Sequence, residues 1–115
     1  MVNNRDRVSQ VFAALADKTR RRMLEQLLRS GENRVAELSE PFPITPPAVT
    51  KHLHVLEKAH LIRRRRQGRA HYIRANPEGL NEAHSWMQAS AAGWKFSLHR
   101  LDALIEAKGN KEGQP

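Results

Sequence analysis

The chain has no cysteine among its 115 residues, which excludes disulfides, thiolate metal sites and thiol redox switches. No apolar run is long enough to span a bilayer, and the opening MVNNRDRV lacks the apolar block of a secretory signal. The expectation is a cytoplasmic protein. Acids are scarce: 12 Asp and Glu stand against 20 Lys and Arg, a formal net charge of +8. Such a balance favours polyanions (DNA, RNA or an acidic membrane face), although a generically basic soluble protein would share it. No nucleophile–base set, phosphate-cradling glycine loop or paired carboxylates occurs, so nothing argues for an enzyme. There is no internal repeat. The length suits one small domain, expected over residues 1–107, with a polar, disordered tail at 108–115.

What is present begins with helices. Val8, Val11, Phe12, Leu15 and Ala16 follow helical spacing. Asp17 is placed to cap a second helix that buries Met23, Leu24, Leu27 and Leu28 and stops at Gly31. Lys18, Arg20, Arg21 and Arg22 crowd the start of that helix and oppose its dipole. A phosphate, or a carboxylate such as Asp17 or Glu25, would compensate them.

Residues 34–40 read as a short helix ended by Pro41 and Pro43, with Phe42 and Ile44 under the turn. Thr45 then caps a further helix, with Pro46 in its first position and Val49, Leu53 and Leu56 on its buried face. Pro47, Thr50, Lys51, His54 and Lys58 are left on or beside the opposite face. Two strands follow, with Gln67-Gly68 as the hairpin turn and Ile62 facing Ile73. The expected fold is therefore mainly α with a two-stranded β wing, in the order of four helices, two strands and a last helix.

That hairpin carries Arg63, Arg64, Arg65, Arg66, Arg69 and Arg74, with no acid between residues 58 and 78 to pair with them. Guanidinium groups suit phosphates and also read the width of a minor groove. A charged edge strand that merely resists aggregation is the plainer alternative. The start of the preceding helix presents Thr45, Pro47, Thr50, Lys51 and His54 in a shape that fits a major groove, with its free amides aimed at phosphates. His52 falls on the buried side, where a hydrogen-bonded structural histidine is expected rather than a base reader.

The last helix is expected over residues 77–107. Leu80, Ala83, Met87, Ser90, Trp94, Leu98, Leu101 and Ile105 form one seam, and Trp86, Phe96 and Leu104 lie off it. Two apolar faces on one helix suggest packing on its own body and on another chain.

The segments ALADKTRRRMLEQLL and ITPPAVTKHLHVLEKAHLIRRRRQGRAHYIRAN resemble the ArsR/SmtB family of winged helix-turn-helix transcriptional repressors, over about residues 7–80. The resemblance implies a homodimer joined through the first and last helices, here Val8, Phe12, Met87, Trp94, Leu98 and Leu101, and repression by occupying double-stranded DNA. It implies DNA contact by Thr45, Pro47, Thr50, Lys51 and His54, and backbone or minor-groove contact by the wing residues Arg64, Arg65, Arg66, Gln67 and Arg69. Three positions depart from the family: Pro46 where glutamine is frequent, His60 where glycine is usual, and no cysteine around residues 35–40 to form the thiolate metal site. Glu82, His84, His99 and Asp102 resemble the family's other metal site, but their two halves stand about a turn too far apart. Ordinary surface residues are the reading there, with no cofactor expected and the effector unknown. A zinc-sensing repressor and a winged-helix module that docks on protein or RNA are the rival readings.

Overall fold

A computed structural model of the chain describes residues 4–112, apart from the side chains of residues 4, 5, 94, 96–98, 101 and 105–112. The elements are α1 (Asn4–Leu15), α2 (Lys18–Ser30), β1 (Glu32–Arg34), α3 (Val35–Ser39), α4 (Pro46–Lys58), β2 (Ile62–Gln67), β3 (Ala70–Ala75) and α5 (Pro77–Glu112). Met1–Ala83 and His84–Pro115 form two compact units, and the described part of the second is the remainder of α5. That helix continues past the expected end at residue 107, and residues 113–115 of the expected tail lie outside the described residues.

Side chains at the helix ends set most of the boundaries. The Asp17 carboxylate accepts from the Arg20 N–H at 3.0 Å and opens α2. Gly31, at φ 85°, closes it by donating its N–H to the Leu27 carbonyl. The crowding of cations at the start of α2 is met in part by the expected carboxylate, Asp17, whose charge interacts with Arg20, and in part by acceptors that were not expected. Arg20 Nε donates to the Ala14 carbonyl at 2.7 Å and Arg21 Nη1 to that of Leu15 at 2.7 Å. The arginines of α2 thus satisfy the open carbonyl end of α1, where a cation is favourable.

In the first unit the core is built from Val11, Met23, Leu24, Leu27, Leu38, Val49, Leu53, Leu56, Leu61, Ile62, Ile73 and Ala83. Leu28, expected inside, is 58% exposed. The wing is two-stranded as expected, but a third strand joins it. β1 pairs antiparallel with β3, giving the order β1-β3-β2.

The hairpin turn is Gly68-Arg69, because Gln67 pairs with Ala70 and Ile62 with Ala75 rather than with Ile73. Gly68 has φ 62° and Arg69 is not in the left-handed region, the φ pattern of a type II′ turn. The two-residue change in partner leaves every side chain on its expected face.

Candidate nucleic-acid interface

The helix-turn-helix consists of α3, a corner through Pro41 and Pro43, and α4. Thr45 Oγ1 accepts from the Ala48 N–H at 3.3 Å and fixes where α4 begins. Thr45, Pro46, Pro47, Thr50, Lys51 and His54 are all exposed, while Val49, Leu53 and Leu56 are buried. The outward face is therefore the one the sequence predicts. Its chemistry differs in one respect: the start of α4 is poor in amides that could bind a phosphate. Pro46 and Pro47 have no N–H, and that of Ala48 is taken by Thr45. Recognition from this end falls to side chains. The Thr50 hydroxyl donates to the Pro46 carbonyl at 3.2 Å, so its oxygen is left to act as an acceptor.

His52 is partly buried against α2. Arg20 Nη1 lies 3.2 Å from its Nδ1, and Asp17 Oδ2 3.9 Å from the same atom. A guanidinium only donates, so that contact as a hydrogen bond requires a bare Nδ1. His52 joins α4 to α2, in agreement with its expected structural role. Asp17 itself is held below the usual carboxylate range, first by the Arg20 N–H.

On the wing, alternation divides the arginines between two faces. Arg64 shares a face with Ile62, and its Nε stands 3.5 Å from Glu57 Oε2, which ties β2 to the flank of α4. Arg66 Nε donates to the Gly68 carbonyl at 2.9 Å, shaping the tip beside Arg69. The opposite face carries Arg63, Arg65 and Gln67 with Tyr72 and Arg74 of β3 and Glu32 and Arg34 of β1.

Arg65 is fully engaged there. Its Nη2 and Nε donate to Glu32 at 2.7 and 2.9 Å, its Nη1 donates to Gln67 Oε1 at 2.9 Å, and its guanidinium lies 4.2 Å from the Tyr72 ring centroid. Arg34 reaches the same tyrosine, 5.5 Å from the ring and 3.3 Å from its hydroxyl. The Arg65 bonds lower the Glu32 carboxyl pKa and raise that of the guanidinium.

The expectation that the wing arginines have no acid to pair with fails for Arg65 and Arg64. Their carboxylates, Glu32 and Glu57, lie upstream of the hairpin. The side chains of Arg63 and Arg69 make no hydrogen bond or ion pair among the described residues. Arg63 stands directly opposite Arg74, which has the Glu32 carboxylate on its other side. Like charges so placed repel, and Glu32, shared between Arg65 and Arg74, offsets only part of that repulsion.

The residues expected at a dimer contact fall into three groups. Val8 is buried within its own chain, Phe12 and Met87 are 39% and 45% exposed, and the side chains of Trp94, Leu98 and Leu101 lie outside the described residues. Of the four possible metal ligands, Glu82 accepts from Arg7 Nη1 at 2.9 Å.

A helix-turn-helix joined to a basic β-hairpin that is tied to its second helix defines a winged helix-turn-helix protein, a DNA-binding class. The description "Bacterial regulatory protein, arsR family" matches residues 17–64. The transcriptional repressor SdpR of Bacillus subtilis is 34% identical over 80 residues, covering 70% of this chain and 88% of that protein. An HTH-type transcriptional regulator of Mycobacterium tuberculosis is 33% identical over 99 residues, 86% of this chain and 89% of that one.

The fold agrees. An ArsR-like transcriptional regulator from Rhodococcus sp. RHA1 superimposes with a TM-score of 0.77 at 28% identity, over 90% of this chain and 96% of that one. A homodimeric winged helix-turn-helix DNA-binding domain from Mycobacterium bovis does so at 0.60 and 25%, over 76% and 80%. The chain belongs to the ArsR family of bacterial regulatory proteins and is a DNA-binding transcriptional regulator, not an enzyme.

Proposed function

We propose that the protein is a cytoplasmic homodimeric repressor that occupies an inverted-repeat operator without a metal ion. The observation that carries this reading is the exposed face of α4, beside a wing tied to that helix through Arg64 and Glu57. In each protomer Thr45, Pro47, Thr50, Lys51 and His54 face a major groove. Arg66, Gln67 and Arg69 reach the flanking minor groove or backbone, Arg64 supports the wing from the α4 side, and Arg65 holds it from the other.

Two-fold symmetry sets the half-site centres one helical turn apart, about 34 Å. The exposed Phe12 of α1 and, separately, the exposed Met87 of α5 support dimerisation through these two helices, to which Val8, Trp94, Leu98 and Leu101 are also assigned. The metal-independent mechanism is supported by the lack of cysteine and by the separation of Glu82 and His84 from His99 and Asp102 along α5. Arg7 engages Glu82 Oε1 alone, and the buried Oε2 has no hydrogen-bond partner among the described residues.

Selection of genomic DNA fragments by the purified protein tests this reading. One inverted repeat should be enriched and bound well above random duplex at physiological salt. Equal affinity for random duplex, or tighter binding to structured RNA or to protein, would replace it with an interaction module. Titration with Zn²⁺ separates the metal-sensing alternative, which requires about micromolar binding at two sites per dimer.

A further inference from the structure

A groove of about 360 Å³ lies between α1 and α4, within the range of small-molecule sites. Its α1 wall is made by Gln10, Ala13 and Ala14, spaced by three and four on one helix face. Its α4 wall is made by His54, Val55, Lys58 and Ala59, again two pairs one turn apart. The space exists because Ala13, Ala14 and Ala59 end at Cβ where larger side chains would fill it. Arg20 also lines the groove, its guanidinium held by the Ala13 and Ala14 carbonyls at 3.2 and 2.7 Å and by His52 at 3.2 Å. No acid lines it. Apolar walls, a fixed guanidinium and a lysine together suit a flat apolar body bearing one negative charge, and the immobility of Arg20 lowers the entropy lost on binding.

We propose that this groove binds a small organic anion of the aromatic carboxylate class, and that its occupant competes with DNA for the His54 side of α4. The competition rests on the docking of α4 proposed above; the binding does not.

A methyl NMR titration of the full chain with 2-naphthoate tests the site directly. The methyls of Ala13, Ala14, Val55 and Ala59 should shift together, while that of the buried Ala83 stays in place. The neutral 2-naphthamide should bind about tenfold more weakly, as should Lys58→Gln with naphthoate, each having lost a charge-assisted contact. Ala13→Trp fills the groove from an exposed position and should abolish the shifts.

Absence of shifts, shifts centred elsewhere, or equal affinity for the amide would overturn the assignment. Inorganic phosphate producing the same shifts would overturn it too, by showing a general anion site. With the selected duplex, naphthoate should weaken DNA binding of the unaltered chain and leave that of Ala13→Trp unchanged. Methyl shifts without this effect would remove the competition, and failure to bind any specific duplex would remove the repressor reading while leaving the shifts to decide the site.

Discussion

Arg65 of the wing grips Glu32 of β1 with two nitrogens on two oxygens, at 2.7 and 2.9 Å, across 33 residues of sequence. The planar fork of arginine fits a carboxylate in this way and lysine does not. With Tyr72 beneath the guanidinium, the pair joins all three strands of the sheet and fixes the base from which the tip projects. In the proposed complex Arg65 is thus a positioning residue, and phosphate contact falls to Arg66 and Arg69 at the tip.

Glu32→Gln separates bracing from net charge. Removing this acid raises the formal charge by one from +8, which alone would tighten DNA binding. The expected outcome is weaker binding, with faster amide exchange at the β1–β3 and β2–β3 pairings. Because Arg65 lowers the Glu32 pKa below its usual 4.5, the brace is complete above that value and is lost as the pH falls through the lower folded value. Hydrogen exchange followed from pH 6 down to about pH 3 checks this window.

Direct contacts should respond differently. Lys51→Ala, and Arg66→Ala with Arg69→Ala, should each weaken specific binding by roughly tenfold while leaving the thermal midpoint and the dimer unchanged. Each phosphate contact removed should lower the slope of log affinity against log salt by about one. Fluorescence anisotropy at several salt concentrations reads both quantities. A Lys51 that reads bases would lower affinity without lowering the slope.

The link from α4 to α5 gives a paired test of stability. His60 sits at φ 58°, a conformation that favours glycine, and its carbonyl accepts from the Gly79 N–H at 2.9 Å. His60→Gly should stabilise the fold by about 1 kcal/mol. At Gly79 a Cβ would lie 2.6 Å from the His60 carbonyl oxygen, so Gly79→Ala should destabilise by about 1–3 kcal/mol. Thermal melts of the two variants should move in opposite directions.

Asp17→Ala removes the cap of α2 and a neighbour of His52, at an expected cost of about 1 kcal/mol. The Asp17 carboxyl is held below its usual 3.8, so the contribution is complete above that value and disappears as the pH falls through the folded one. Melting curves of the two proteins should therefore differ at neutral pH and converge in acid.

Much of this was legible in the sequence, because the responsible physics is local. The caps Asp17, Gly31 and Thr45, the buried stripes of α2 and α4, and the outward Thr50, Lys51 and His54 follow from spacing within one or two turns. β1 was not legible: Glu32, Asn33 and Arg34 are too few to show a period, and their partners Arg74, Ile73 and Tyr72 lie about forty residues on. The same distance hid the role of Arg65. The turn slipped by one position because two-residue loops starting at Gln67 or at Gly68 both contain the glycine, and both keep Ile62 and Ile73 inside. The carbonyl partners of Arg20 and Arg21 depend on how α1 and α2 cross, which no spacing rule reports.

Hydroxyl-radical footprinting of the selected duplex, with the unaltered chain and with Lys51→Ala, most directly tests whether two copies present helix and wing to one double strand. The prediction is two symmetric zones of protection on one face of the DNA, centred about 34 Å apart and flanked by minor-groove protection, all weakened together by the substitution. A single asymmetric zone, or a pattern that Lys51→Ala leaves unchanged, would contradict it.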